Sequence, residues 1–211
     1  MRKKRDAEGT KAIVLESAEQ LFASRGFSAT SLAEISRASG ISDGLILYHF
    51  KTKEGLYKEV IERISRRYTE VFQGMRDKDL PPAEMMRDSL KSVFDFWRTD
   101  NTYNRISLWA YLERREDMAG SEAGLTAGLA AYLKSLQDGG RFPEEIHPVV
   151  FLSMIIGSIH FWFRYKSRYT AILQLKEKDE RLDELFLKQF SRILVCFFDN
   201  PALWNQLGEQ R

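Results

Sequence analysis

The amino-acid sequence predicts an all-α protein, and three observations support this fold class. The 211 residues include only five prolines, contain no long alternation of Val, Ile and Thr, and are rich in Leu, Glu, Lys, Arg and Ala. Apolar residues recur at intervals of three and four positions, which is the spacing of one helix face. The predicted stripes are Ile13, Ser17/Ala18, Leu21 and Phe22 in the first helix and Leu56, Val60, Ile64, Tyr68 and Phe72 in the fourth. Turn signals divide these stripes into about nine helices, at residues 10–25, 31–39, 42–50, 53–73, 83–98, 103–117, 122–138, 145–170 and 180–199.

Composition indicates a folded globular protein of the cytoplasm. The chain is 44% hydrophobic and 12% aromatic, which is enough for a substantial core. Its one cysteine, Cys196, cannot form an internal disulfide, and we expect it in the core rather than as a catalytic thiol. Charge, not an apolar signal segment, follows the basic start MRKKR. The most apolar stretch, residues 149–163, is too short to cross a bilayer, so no membrane association is predicted.

Residues 31–50 read as two short helices joined by a tight turn. Ser31 and Glu34 have the spacing of a capping box, which fixes the start of the first helix. Gly40 can adopt the left-handed conformation that ends a helix, and Ser42 can cap the next one. This pattern predicts a helix-turn-helix.

The second of these helices has an unusual outer face. If Ile46 and Phe50 face the core, the helical period of about 100° per residue turns Gly44 and Tyr48 away from it, with Leu45 and Leu47 on the flanks. Exposed apolar side chains on so short a helix need a partner. Insertion of this helix into the major groove of DNA supplies one.

Residues 10–57 as a whole resemble the DNA-binding domain of the tetracycline-repressor (TetR) family. The resemblance rests on the segments GFSATSLAEI at 26–35, GISDG at 40–44 and YHFKTKEGL at 48–56. The chain departs from the family pattern at Ser36, Leu45 and Leu47, and the last two positions normally touch DNA. The resemblance implies a DNA-binding domain over residues 1–57 and a helical ligand-binding and dimerisation domain over residues 58–211.

The predicted DNA contacts combine these two lines of reasoning. The net charge is only +2, so DNA binding must depend on local charge such as the basic arm, whose alternative role is a solvated tail. Asp43 either accepts a hydrogen bond from cytosine or stabilises the helix N-terminus. By resemblance, Thr30, His49 and Lys53 match positions that contact the DNA backbone. The full predicted set is Lys3, Lys4, Thr30, Ser42, Asp43, Gly44, Leu45, Leu47, Tyr48, His49 and Lys53.

The middle and late helices are unusually rich in aromatic residues and methionine. Such stripes usually form a core, but as a set they also suit the lining of an apolar cavity between helices. The resemblance favours a hydrophobic small-molecule effector there. The residues predicted to contact it are Phe94, Trp97, Arg105, Trp109, Phe151, Met154 and Trp162.

The last two long helices are predicted to form a homodimer. The helix at 145–170 is apolar nearly all round in its first half, and Gly157 and Ser158 would let a second helix approach closely. The family resemblance implies the same interface. Two copies of a short recognition helix would then read palindromic double-stranded DNA.

No catalytic or metal site is predicted. The three histidines, His49, His147 and His160, are scattered, and no phosphate-binding loop or nucleophile motif occurs. We therefore expect a non-enzymatic, cofactor-free transcriptional regulator, a repressor released by a hydrophobic small molecule. The alternative is a helical DNA-binding or partner-binding scaffold without an effector.

Overall fold

The computed structural model describes residues 2–76, 80–174 and 180–199, and within these ranges the protein is helical without a strand, as predicted. The elements are α1 (Arg2–Arg25), α2 (Leu32–Ser39), α3 (Asp43–Phe50), α4 (Lys53–Arg76), α5 (Pro82–Thr99), α6 (Thr102–Leu112), α7 (Glu116–Asp138), α8 (Pro148–Ile172) and α9 (Glu180–Asp199).

The chain divides into two compact units. The head unit comprises Met1–Arg67 with Asp100–Ala123, and the body unit comprises Tyr68–Thr99 with Gly124–Arg211. Helix α6 therefore belongs to the same compact unit as the helix-turn-helix, although it follows α5 in sequence. The functional boundary predicted between residues 57 and 58 stays a prediction.

Helices α1 and α8 begin at other residues than predicted. Helix α1 starts at Arg2 instead of Thr10, so the backbone of Lys3 and Lys4 is helical, while their side chains lie outside the described part of the chain. Helix α8 starts at Pro148, three residues later than predicted, because proline suits the first turn, where its missing N–H costs no hydrogen bond.

The break between α6 and α7 lies at residues 113–115, although the sequence predicted it at residues 118–121. Arg114 adopts a left-handed conformation with φ of 54°. The Arg115 amide donates to the Ala110 carbonyl at 2.8 Å, and the Arg114 amide donates to the Tyr111 carbonyl at 3.2 Å. These two bonds form a Schellman motif, which ends α6 without the usual glycine.

The head core is built from one face of each of its first four helices. In α1 the buried stripe is Val14, Ala18 and Phe22, so the predicted stripe is wrong by one position at Ile13, which is exposed. The predicted stripe of α4 is buried at Leu56, Val60 and Ile64 in the head and at Tyr68 in the body unit, while the side chain of its last member, Phe72, lies outside the described part of the chain. The other buried residues of this core include Phe27, Ile35, Ile46, Phe50 and Tyr57.

The head also contains a buried charge pair between distant parts of the chain. Glu19 is almost fully buried, and its carboxylate accepts hydrogen bonds from Arg67 of α4 at 2.6 and 3.1 Å. Arg67 also pairs with Asp100 at 2.8 Å. The hydrogen bonds to Glu19 raise the pKa of Arg67 further, so this cation keeps its charge.

The body core is aromatic, and one buried carboxylate ties its last two helices together. Asp183 of α9 accepts hydrogen bonds from the Trp162 indole at 2.9 Å and from the Lys166 ammonium at 2.6 Å, both on α8. Cys196 is exposed, which contradicts its predicted place in the core; the buried face of α9 runs through Leu194 and Val195 instead.

Helix α8 is the described helix whose length and mean hydropathy would allow it to cross a membrane. This signal is weak, since core helices of soluble proteins pass the same test. Five apolar residues of α8 lie in the body core, namely Phe151, Leu152, Ile155, Ile159 and Trp162.

Candidate nucleic-acid interface and effector pocket

Helix α2 is fixed at both ends by the motifs that the sequence predicted. The Ser31 hydroxyl accepts the Glu34 amide at 3.2 Å, and the Glu34 carboxylate accepts the Ser31 amide at 2.9 Å, which completes the capping box. The hydrogen bond from the Ser31 amide holds the pKa of Glu34 below its usual value. Gly40 ends the helix in the left-handed conformation, with φ of 70°. The turn into α3 is therefore specified locally.

Helix α3 presents the face that its period predicted. Ile46 and Phe50 are buried, whereas Leu45, Leu47 and Tyr48 are 39%, 40% and 69% exposed. A Cβ atom added at Gly44 would meet no atom within 4 Å, so the fold does not require glycine there. Asp43 is exposed at the start of the helix. Ser42 holds the N-cap position, but its hydroxyl makes no cap hydrogen bond and is exposed, so it remains available to a ligand.

The C-terminal end of α3 carries a basic residue that the sequence interpretation missed. Lys51 is exposed, has φ of 69°, and donates from Nζ to the Tyr48 carbonyl at 3.0 Å. Its ammonium lies 5.4 Å from the centroid of the Tyr48 ring. His49 beside it is half-buried. The available signal was a lysine directly after the recognition helix, where a cation can reach phosphate.

The side chains of Thr30 and Lys53 form hydrogen bonds within the head unit. Thr30 is buried, and its hydroxyl donates to the Gly26 carbonyl at 2.7 Å, so its side chain lies away from the exposed face of α3. The Lys53 ammonium donates to the Phe27 carbonyl at 3.0 Å and to the Thr30 carbonyl at 2.9 Å. It also lies over the Phe27 ring at 4.1 Å. One of its three protons is left for a phosphate.

The body unit contains an apolar pocket between α5, α7 and α8. Its cavity volume is about 80 Å³. Among the described residues that line it, only Ser89 and Tyr132 bring a polar side chain, and none is charged. The other lining residues are Met85, Met86, Leu90, Val93, Leu129, Leu133, Phe151, Leu152, Ile155 and Ile156.

The predicted effector contacts are dispersed over the molecule. Of the seven residues, Phe151 lines this pocket, while Trp162 lines a second, more open apolar pocket between α8 and α9. Phe94 and Trp97 are buried in the aromatic core of the body, and Met154 is 66% exposed.

Arg105 and Trp109 belong to the head unit and are not among the described residues that line this pocket. The Arg105 guanidinium donates from Nε to the Ala23 carbonyl of α1 at 2.8 Å. Helix α6 follows the aromatic helix α5 in sequence but packs in the other unit, and the effector contacts of both residues stay a prediction.

Comparisons with known proteins agree with this geometry. Residues 14–60 match the family model described as bacterial regulatory proteins, tetR family. The HTH-type transcriptional regulator TtgR of Pseudomonas putida is 27% identical over 175 residues, which cover 76% of this chain and 83% of TtgR.

Two solved structures share the fold. SCO4942 of Streptomyces coelicolor has a TM-score of 0.71 at 22% identity, over 88% of this chain and 97% of that protein. FadR of Bacillus subtilis, a transcriptional regulator solved with stearoyl-CoA, has a TM-score of 0.64 at 17% identity, over 88% of this chain and 96% of FadR. The matched segment 14–60 contains α2 and α3 with their caps and the exposed face of α3. Residues 14–60 therefore form a DNA-binding domain of the TetR family, and the chain is a DNA-binding transcriptional regulator.

Proposed function

We propose that the protein is a cytoplasmic, homodimeric repressor without a catalytic step, which binds palindromic double-stranded DNA and is released by a hydrophobic small molecule. The observation that carries the proposal is α3, an eight-residue helix that buries Ile46 and Phe50 but exposes Leu45, Leu47 and Tyr48. This helix provides apolar contacts in the major groove, where only thymine presents a methyl group.

The base contacts are tested with duplexes selected by the wild-type protein from a random-sequence library. We expect thymine at contacted positions of each half-site, because Leu45 and Leu47 offer apolar contact only. Replacing those thymines by uracil removes the methyl groups and leaves the hydrogen-bonding edges intact. The affinity is expected to fall. An unchanged affinity would contradict methyl recognition by this face.

Phosphate contacts are assigned to cations around α3. Lys51 is exposed beside the recognition face, Lys53 retains one donor proton, and Lys3 and Lys4 belong to the basic arm. Each lost phosphate contact lowers the slope of log affinity against log salt by roughly 0.9. We expect this decrease for Lys51→Ala and Lys53→Ala at every DNA sequence. Lys134→Ala, an exposed lysine of α7 in the body unit, is the control and leaves the slope unchanged.

The effector is proposed to bury an uncharged, apolar group in the pocket between α5, α7 and α8. None of the described lining residues is charged, which disfavours a buried carboxylate or phosphate, since an ion removed from water needs a partner. The stearoyl-CoA found with FadR has a long alkyl chain that matches this chemistry, with its phosphates necessarily outside such a lining. Neutral lipophiles are therefore expected to bind better than acids of the same size.

A thermal-shift panel tests this assignment. Binding to the folded state raises the Tm, and the increase grows with ligand concentration. Phe151→Ala removes a lining ring and is expected to weaken binding while leaving the DNA affinity of the unliganded protein intact. If no neutral, aromatic or acyl compound raises the Tm, the scaffold function without an effector becomes the better description.

Release of DNA requires that the bound effector lowers the affinity of the protein for the operator. Helix α4 is continuous from Lys53 to Arg76, and we propose that the effector shifts it and changes the separation of the two recognition helices. Such coupling is typically about 1 to 3 kcal/mol, or about 5-fold to 150-fold in affinity, and it is reciprocal. Operator DNA is then expected to weaken effector binding by the same factor.

The dimer is proposed to form through α8 and α9, which expose large apolar residues along much of their length. A Cβ atom added at Gly157 would meet nothing within 4 Å in the single chain, so the fold of one protomer does not require glycine there. Glycine at this position instead allows a helix of the second protomer to approach closely. The exposed set is Val149, Val150, Met154, Phe161, Ile172, Leu185 and Ile193.

Gly157→Leu tests this interface by sedimentation. It is expected to raise the dimer dissociation constant at least tenfold, because the larger side chain prevents close approach. Gly128→Leu is the matched control, since Gly128 is also helical, exposed and open around its Cβ position. Equal effects of both substitutions would place the interface elsewhere.

A further inference from the structure

The turn between α1 and α2, residues 26–31, orients the helix-turn-helix on α1. Gly26 has φ of 81°, and the Thr30 amide donates to the Phe27 carbonyl at 3.2 Å. Ser31 then caps α2 directly. A displacement of this turn therefore displaces α2, and with it the short helix α3 that follows.

Glu113, the first residue after α6, holds this turn by its backbone. Its carboxylate oxygens accept the Phe27 amide at 3.1 Å and the Ser28 amide at 3.0 Å. Hydrogen bonds to an ionised acceptor are about twice as strong as neutral ones. More than eighty residues separate the two partners in sequence, so this contact exists only because α6 packs in the head unit.

The side chains of Trp109 in α6 and of Glu113 after it lie so close to Gly26 that little space is left for a side chain there. A Cβ atom on Gly26 would lie 2.5 Å from Oε1 of Glu113 and 3.0 Å from two atoms of the Trp109 ring. Both the left-handed conformation and the limited space favour glycine at this position. Gly26 is therefore fitted to Glu113 and Trp109 as well as to its own turn.

Further contacts on both sides hold the α1–α2 turn. The Arg115 guanidinium lies 3.5 Å from the centroid of the Phe27 ring and 4.7 Å from that of Tyr57. On the carbonyl side, Lys53 holds the oxygens of Phe27 and Thr30. The turn is thus bound through its amides by the end of α6 and through its carbonyls by the start of α4.

We propose that Glu113 is a positioning residue for DNA recognition, which sets the orientation of α2 and α3 by binding the α1–α2 turn. Glu113 is half-buried at the end of α6, and its carboxylate is directed to the turn instead of the exposed face of α3. The direction of the change in DNA affinity distinguishes this positioning role from a simple effect of charge. Removing a carboxylate from a DNA-binding domain raises its affinity if only charge matters, whereas loss of positioning lowers it.

The experiment uses the full-length protein and a duplex that the wild type selects from a random library. We expect Glu113→Ala to lose about tenfold in affinity for this duplex, with an unchanged salt slope because no phosphate contact is lost. Glu113→Gln keeps one acceptor oxygen and is expected to lose less. Glu62→Ala removes the same charge from an exposed position of α4 and is the matched control, expected to stay within twofold of wild type.

Amide hydrogen exchange supplies a second measurement. In Glu113→Ala, the amides of Phe27 and Ser28 are expected to exchange faster, while the Phe22 amide within α1 keeps its rate. An affinity equal to or above that of Glu62→Ala would overturn the proposal, even if those amides exchange faster. Should Glu113→Ala lose cooperative unfolding, Glu113→Gln decides by the same criterion.

Discussion

The head unit and the body unit both expose large apolar side chains, but the surroundings of these side chains differ. On α3 they occupy one short helix, next to Asp43, His49 and Lys51. On α8 and α9 they run along helices of 25 and 20 residues, with few charges in the first half of α8. Neighbouring polar and basic groups suit a duplex with charged phosphates, whereas a long apolar stripe suits a second protein surface.

The contacts that fix α2 and those that join α8 to α9 also differ. At the start of α2, hydrogen bonds join residues three or four positions apart, as in the capping box and the Thr30 hydroxyl, and Glu113 adds a distant contact to the preceding turn. In the body, Asp183 joins two helices across 17 and 21 positions. Local motifs therefore define the ends of α2, whereas the described hydrogen bonds between α8 and α9 depend on one buried carboxylate. The following predictions test this difference.

Asp183→Ala is expected to have the largest effect on stability. It leaves the buried Trp162 indole without its acceptor and the Lys166 ammonium without its counter-ion, and breaking a buried pair costs about 3 to 5 kcal/mol. Chemical denaturation measures the free energy of unfolding. Glu184→Ala, at the exposed neighbouring position, is the control and is expected to stay within about 0.5 kcal/mol.

Substitutions at two neighbouring residues of α3 are expected to have different effects, one on stability and the other on DNA binding. Ile46 is fully buried, so Ile46→Ala costs about 2 to 5 kcal/mol of unfolding free energy. Leu45→Ala changes it by less than about 0.5 kcal/mol but weakens binding to the selected duplex. Denaturation and DNA titration of both variants test the assignment. A large stability loss for Leu45→Ala would show that its side chain belongs to the core.

His160 is expected to make the body sensitive to acid. Its ring lies 4.3 Å from that of Trp97, and its buried Nε2 has no hydrogen-bond partner among the described residues. Burial, with a smaller contribution from Arg164, lowers the pKa of His160 to about 4. Above pH 6.5 the imidazole is neutral in both states. Below pH 6.5, His160 of the unfolded chain binds a proton, whereas His160 of the folded protein stays neutral until the pH falls to about 4.

Stability is therefore expected to fall by up to roughly 3 kcal/mol between pH 6.5 and pH 4 through this residue alone. Other groups titrate in the same range, so the difference between the wild type and His160→Phe isolates its contribution. Equilibrium unfolding across this range provides the measurement. His147→Asn, an exposed position, is the control. Parallel pH profiles for the wild type and His160→Phe would contradict the assignment.

Gly44→Ala is expected to have a small effect on stability and a clear effect on DNA binding. The open space around Gly44 accepts a methyl group, so the free energy of unfolding changes by less than about 1 kcal/mol. On the recognition face, the same methyl group separates the helix from the bases, and affinity for the selected duplex falls. Gly128→Ala, an open glycine of α7, is expected to leave DNA affinity unchanged.

The sequence by itself determined the elements whose signals are local. The capping box at Ser31 and Glu34, the left-handed Gly40 and the outward face of α3 all lie within about four residues of the groups that define them. Helix periodicity also identified the buried stripe of α4 from Leu56 to Tyr68. Local hydrogen bonds and a fixed helical period act on neighbouring residues, so they can be recognised without knowledge of the rest of the fold.

Only the tertiary structure decided which distant segments meet. Glu19 with Arg67, Glu113 with the α1–α2 turn, and Asp183 with α8 have no signal in the sequence, because each residue alone resembles an ordinary surface charge. The same reason explains why the sequence grouped Arg105 and Trp109 with residues of the body, although α6 packs in the head unit. Helical spacing tells which face of a helix is apolar, but the partner of that face depends on how all the helices pack.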